Sequence, residues 1–111
     1  MLITNRNLEY EYILTNSALD IDRIYAKRRR RRVINVDLSA IEGYGAAGDE
    51  GYAKFAANKT VMLLDLTSNV SGNRRIYFVM PRPKRRYLVV IEPDAELEAA
   101  IGGLLPREFR R

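Results

Sequence analysis

The chain has 111 residues, 47% of them apolar, with 19 Lys and Arg against 14 Asp and Glu, giving a formal net charge of +5 and a pI of about 9.7. That length fits one domain spanning residues 1–111, large enough to bury a core without disulfides or metal. With neither Cys nor His, the chain lacks thiolate chemistry, the commonest general base and the commonest transition-metal ligand, so a protein that is not an enzyme and holds no cofactor is expected.

In chain order, residues 8–15 (LEYEYILT) alternate Leu8, Tyr10, Tyr12 and Leu14 with other residues, the period-two pattern of a strand with one buried face. Asn16 and Ser17 supply turn chemistry. Strands over residues 18–26 and 30–38 should then form a hairpin with its loop centred on Arg28 and Arg29. The register that pairs most apolar residues sets Leu19 opposite Leu38, Ile21 opposite Val36 and Ile24 opposite Val33, each pair contributing ~0.2–1 kcal/mol. It also sets Asp20 opposite Asp37. Residues 37–41 read as a short turn, and residues 42–45 begin a fourth strand before Gly45, Gly48 and Gly51 interrupt it. Between residues 49 and 58, Tyr52, Phe55 and Ala56 fall at helical spacing in a segment too short to hold without packing, so a loop with one helical turn is expected.

Residues 60–67 contain VMLLDL, an apolar run of the length of a strand buried on both sides. Gly72 and Asn73 mark a turn. Residues 74–80 and 86–91 are two further strands, joined by a loop that holds Pro81 and Pro83, which cannot donate to a ladder. A second meander follows from this order. After Pro93, Asp94 can cap a helix carrying Leu97, Ile101, Leu104 and Leu105 on one stripe, weakened by Gly102 and Gly103 and ended by Pro106. No apolar run approaches the ~18 residues of a membrane-spanning helix, and residues 1–7 lack the layout of a signal peptide, so a cytoplasmic location, free or at the inner face of the membrane, is expected.

Two antiparallel meanders followed by one amphipathic helix resemble the pleckstrin-homology (PH) architecture. Residues 12–41, YILTNSALDIDRIYAKRRRRRVINVDLSAI, resemble the opening of bacterial PH-like domains through Tyr12, Leu14, Thr15, Leu19, Ile21, Arg32, Val36 and Ile41. They also resemble a small uncharacterised bacterial family with the same beginning. The resemblance implies a mainly β fold: a PH-like barrel of two bent antiparallel sheets, about six to seven strands, capped by one C-terminal helix. Bacterial domains of this kind are commonly built beside membrane-spanning segments. In lipid-binding PH domains bases surround the first hairpin loop. Here that loop is Thr15, Asn16, Ser17 and Ala18, without a positive charge, so inositol phosphate binding there is not expected.

The sharpest chemical feature is clustered charge, since residues 27–32, 82–86 and 74–75 hold most of the bases. Lys27, Arg28, Arg29, Arg30, Arg31 and Arg32 lie on the second hairpin, where alternation sends Lys27, Arg29 and Arg31 to one face and the others to the opposite one. Arg82, Lys84, Arg85 and Arg86 form the second basic loop. These ten residues are the candidate contacts for an anionic lipid surface or a protein partner, with nucleic acid as the alternative. Against this stands the plainer reading of charged hairpin tips that protect sheet edges. Tyr25, Tyr77 and Tyr87 flank the basic loops and are the aromatics that base stacking would use, although strand aromatics are more often packing partners. Asp20 and Asp22 share a face and read as neutralising partners of the arginines. Residues 43–51 lack the Lys-Ser/Thr ending of a phosphate loop and read as a flexible connection. Phe109 and residues 104–111, taken as exposed, allow a homodimer contact.

Overall fold

The computed structural model describes all residues except 27, 28, 69, 71 and 111. Among the described residues, eight strands form two four-stranded sheets. Sheet one is a meander of β1 (Leu2–Arg6), β2 (Tyr10–Thr15), β3 (Ala18–Tyr25) and β4 (Arg29–Asp37), in that spatial order. Sheet two holds β5 (Gly43–Ala46), β6 (Val61–Asp65), β7 (Ile76–Pro81) and β8 (Arg86–Ile91) in the order β5-β7-β8-β6. Helix α1 (Glu50–Ala56) follows β5, and α2 (Ala95–Gly102) follows β8.

The architecture is mainly β, with two departures from expectation at this level. β1 adds a strand beyond the expected six to seven, and the sheets are not closed into a barrel.

The alternation read in residues 8–15 holds from Tyr10 onward, where Tyr10, Tyr12 and Leu14 are buried. Leu8 departs from it. The Asn7 Oδ1 accepts from the backbone N–H groups of Glu9 (2.8 Å) and Tyr10 (2.7 Å), a local turn that leaves Leu8 outside the strand and 88% exposed.

The β3–β4 hairpin forms in a register two residues from the expected one: Leu19 faces Val36, Ile21 faces Ile34, and Asp20 faces Asn35. Between the Ile21–Ile34 and Asp22–Arg32 pairs the register shifts, leaving Val33 as the extra residue of a bulge. The two-residue offset removes the charge conflict of the expected register, and the bulge sets Asp22 opposite Arg32. Ile34 and Val36 still point into the core, while Asp22 meets a guanidinium and Asp20 a side-chain amide.

Sheet two is not a meander. β6 runs parallel to β8, and residues 66–75 carry the chain past β8 so that β7 can pair between β5 and β8. Of three apolar strands, β7 and β8 are joined by a four-residue loop that pairs them directly, and they take the centre of the sheet. Five residues of β7, Ile76 to Met80, and four of β8, Leu88 to Ile91, are buried in succession. β6 is left at the edge, and its expected burial on both faces is not found, since Met62 is 40% and Leu63 48% exposed.

One core lies between the sheets. Tyr12, Leu14, Leu19, Ile21 and Val36 from sheet one meet Ile76, Phe78, Met80, Val89 and Ile91 from sheet two, with Leu97 and Ile101 of α2 and Leu105 beyond it. The other face of sheet two is covered by α1. The Asp49 side chain caps this helix by accepting from the Tyr52 N–H at 2.7 Å, and Tyr52 packs edge-on against Tyr77 at 5.7 Å between centroids. Residues 43–51, expected as a flexible connection, are therefore a strand, a tight turn and the start of a helix. Gly51 is there because a Cβ would come within 2.4 Å of the Tyr77 hydroxyl.

As expected, Asp94 caps α2, accepting from the Leu97 N–H at 2.8 Å. The helix sits beside β1, where Asn5 Oδ1 accepts from the Asp94 N–H at 2.8 Å, and faces β5 across a groove lined by Tyr44, Glu98 and Phe109. Phe109 is half-buried against the core, which overturns its expected exposure.

Candidate functional site

The hairpin splits its arginines between two faces, as the alternation requires. On the outer face of sheet one, Arg30 Nε lies 2.9 Å from Glu11 Oε1, and Arg32 reaches Asp22 through Nε and Asp20 through Nη1 at 3.3 Å. The Asp22 hydrogen bond raises the Arg32 pKa above its ordinary value and fixes its charge. Asn35 Nδ2 also donates to Asp20. Asp20 and Asp22 are thus the neutralising partners that sequence suggested, and Arg30 and Arg32 are committed to them.

The other face carries the opposite arrangement. Cross-strand partners share a face, and here Arg23 lies opposite Arg31 while Tyr25 lies opposite Arg29. No ion pair is made by Arg23, Arg29 or Arg31 among the described residues. Like charges directly opposite each other oppose strand pairing. Lys27 and Arg28, also candidates, lie outside the described residues.

The second basic loop is divided as well. Arg86 Nε bonds Glu42 Oε1 at 2.6 Å, and Arg82 donates to the backbone carbonyls of Asn35 and, at 3.2 Å, Pro81. Lys84 and Arg85 are exposed and make no ion pair among the described residues. The Arg82 contact sets the loop beside the second half of β4. The six-residue step from Arg29 to Asn35 spans about 20 Å at ~3.3 Å per residue. The two clusters therefore sit at different places along β4 and do not merge into one pocket.

At the hairpin-tip end, a shallow groove is lined by Arg6, Leu8, Ile24, Tyr25 and Val70, among others. Its floor is held by a buried polar network around Glu92, which is 6% exposed. Glu92 Oε1 accepts from Asn7 Nδ2 (2.7 Å) and the Ser68 N–H (2.6 Å), and Oε2 from Asn73 Nδ2 (3.0 Å). Burial works to raise the Glu92 pKa, but the hydrogen bonds from Ser68 and Asn73 and the charge of Arg75 outweigh it and hold the carboxyl below its ordinary value. The Tyr12 hydroxyl, pushed up mainly by burial, donates to the Leu66 carbonyl at 2.6 Å and accepts from the Glu92 N–H at 3.2 Å. This network fastens the β1–β2 turn and the β6–β7 loop to the end of β8.

Of the three flanking tyrosines, Tyr77 is buried, Tyr87 is half-buried against the core, and Tyr25 alone is exposed, at 40%. Arg23 was absent from the candidate clusters. Its signal was its place on the strand facing the arginine run, where it becomes the cross-strand partner of Arg31. Leu8 was concealed by the alternation that placed it in a strand.

A two-sheet, mainly β domain with a C-terminal helix and paired basic hairpins is the class defined by this geometry. The chain belongs to the family described as bacterial PH-like domain (DUF6106), whose model matches residues 1–111, the whole chain. Comparison with curated proteins and with solved structures gives no match. No described helix is long and apolar enough to cross a membrane.

Proposed function

We propose that this is a non-enzymatic PH-like module that contacts an anionic membrane surface with the end of the molecule formed by the β3–β4 hairpin tip and the β1–β2 turn. The observation that carries this reading is the Arg23–Arg31 cross-strand pair, flanked by Arg29 and by exposed Tyr25, where none of the three arginines makes an ion pair among the described residues. Such an arrangement lowers stability locally, and an anionic surface offsets it by supplying the missing counter-charge. Leu8 and Val70, exposed at the same end, are apolar side chains suited to the headgroup boundary, and each base near that surface contributes about 1 kcal/mol. Nucleic acid is the weaker reading, because a stacking platform needs several exposed rings and Tyr25 is the single exposed one of the three flanking tyrosines.

Sedimentation with vesicles tests this. Binding is expected to phosphatidylserine-containing vesicles and not to phosphatidylcholine alone. Arg23→Ala and Arg31→Ala should each weaken it about fivefold, as a base worth ~1 kcal/mol implies. Leu8→Ser should weaken it further without altering its dependence on salt. Equal absence of binding to both vesicle types, or full binding by the Arg23→Ala/Arg31→Ala double variant, would remove the membrane reading. A salt-sensitive mobility shift with RNA, lost in the same variants, would transfer the surface to nucleic acid.

A further inference from the structure

The two sheets leave two seams where their edges approach. On one side α2 lies beside β1 and faces β5. On the other, between β4 and β6, no element intervenes among the described residues, and a groove of about 760 Å³ runs there. Its floor is apolar, made by Val33, Met62, Leu64 and Tyr87, and its rim is Arg82, Lys84 and Arg85, with no carboxylate among the described residues that line it. Both flanking strands are sheet edges whose outer sides pair with no strand.

β6 has the composition of a central strand in an edge position, so its sequence is suited to a neighbour that sheet two does not provide. An unpaired, apolar edge is a template for an added strand. The charge around it selects what is added. In the parallel register Val61 lies beside Arg86, which places the basic loop at the N-terminal end of β6. Met62 and Leu64 share the face that lines the groove, so an added strand meets them with alternate side chains.

We propose that the β4–β6 seam binds an extended segment of a partner protein, added as a strand to β6, with apolar side chains at alternate positions and acidic residues over the basic loop at residues 82–85. A second copy of this chain is the poorer occupant, because its own β6 would bring one carboxylate, Asp65, against three rim bases. This site is separate from the hairpin-tip surface proposed for membranes, and the two readings fail independently.

The test uses the full chain and a panel of fluorescein-labelled peptides of about seven residues, in which alternating valine and threonine follow two glutamates. A matched set replaces the glutamates with lysines, and another carries N-methyl groups at alternate backbone amides. The acidic peptides are expected to bind in fluorescence anisotropy, with both altered sets weaker by about tenfold or more. The Lys84→Glu/Arg85→Glu variant, changed at exposed positions, should lose the acidic peptides by a similar factor, while the Arg23→Ala/Arg31→Ala variant binds them as the parent does. Equal binding of the N-methylated set would reduce the interaction to charge attraction and overturn strand addition. Absence of binding by every peptide at ~1 mM would overturn it too. So would a dimer in light scattering that Met62→Glu dissolves, since the edge would then belong to a second copy.

Discussion

Glu92 shows how one side chain can hold three segments that the sequence leaves far apart. Its carboxylate takes hydrogen bonds from Asn7, Ser68 and Asn73, so it closes the tip end of the molecule through neutral donors, with the charge of Arg75 adding to them. Because its pKa is held below the ordinary 4.5, the stabilisation is complete above that value and is lost as pH falls through the folded-state pKa. Glu92→Gln should therefore be less stable than the parent at pH 7 by about 1–3 kcal/mol, the cost of losing charge-assisted hydrogen bonds at a buried group. The gap should narrow in urea unfolding as pH is taken from 7 to below 4.5. A gap that persists there would mean that shape and not charge sets the contribution. Nothing near Glu92 in the chain announces this role, since its partners lie 85, 24 and 19 residues away. Asp20 and Asp22 were readable because their partners lie on the next strand, within reach of a simple pairing argument.

At the scale of elements, what could be read was whatever depends on local chemistry. Tyr10 to Leu14 alternate because one face of β2 is buried, and Asp94 caps α2 because a side-chain acceptor is needed there. The hairpin register was missed because counting apolar pairs treats both strands as regular, whereas a bulge at Val33 lets the apolar and ionic pairings be satisfied together. β6 was misplaced for another reason: apolar content reports suitability for burial, while the centre of a sheet goes to the strands that short loops bring together first. The same local reasoning yields a prediction for α2. Gly102 ends the helix without a positive φ, and a Cβ there would meet nothing within 4 Å. Gly102→Ala should raise stability by about 0.5–1 kcal/mol in thermal unfolding. Gly48→Ala, at φ +97°, should lower it.

For the whole molecule, two sheets and a helix share one interior, and that much was legible from the number and order of apolar segments. The relation between the sheets was not. It depends on the crossing of residues 66–75 past β8, which no local signal encodes, and both proposed surfaces depend on it in turn: Ser68, Val70 and Asn73 of that loop line the tip groove, and the open seam exists because β6 ends at the margin. Charge was informative in sum and misleading in detail, since Arg30, Arg32, Arg82 and Arg86 are occupied within the protein while Arg23, outside any cluster, joins the exposed set.

The order β5-β7-β8-β6 also fixes a sequence of events in time. In deuterium exchange followed by mass spectrometry, β7 and β8, flanked on both sides and covered by core and α1, should retain their protons longest, to the limit set by global opening. β6, paired on one side only, should give up amides within the early time points despite being as apolar as β7 or β8. Slow uptake there in the isolated chain would reveal that its margin is already occupied, and fast uptake makes this five-residue strand the first part of sheet two to register anything that settles beside it.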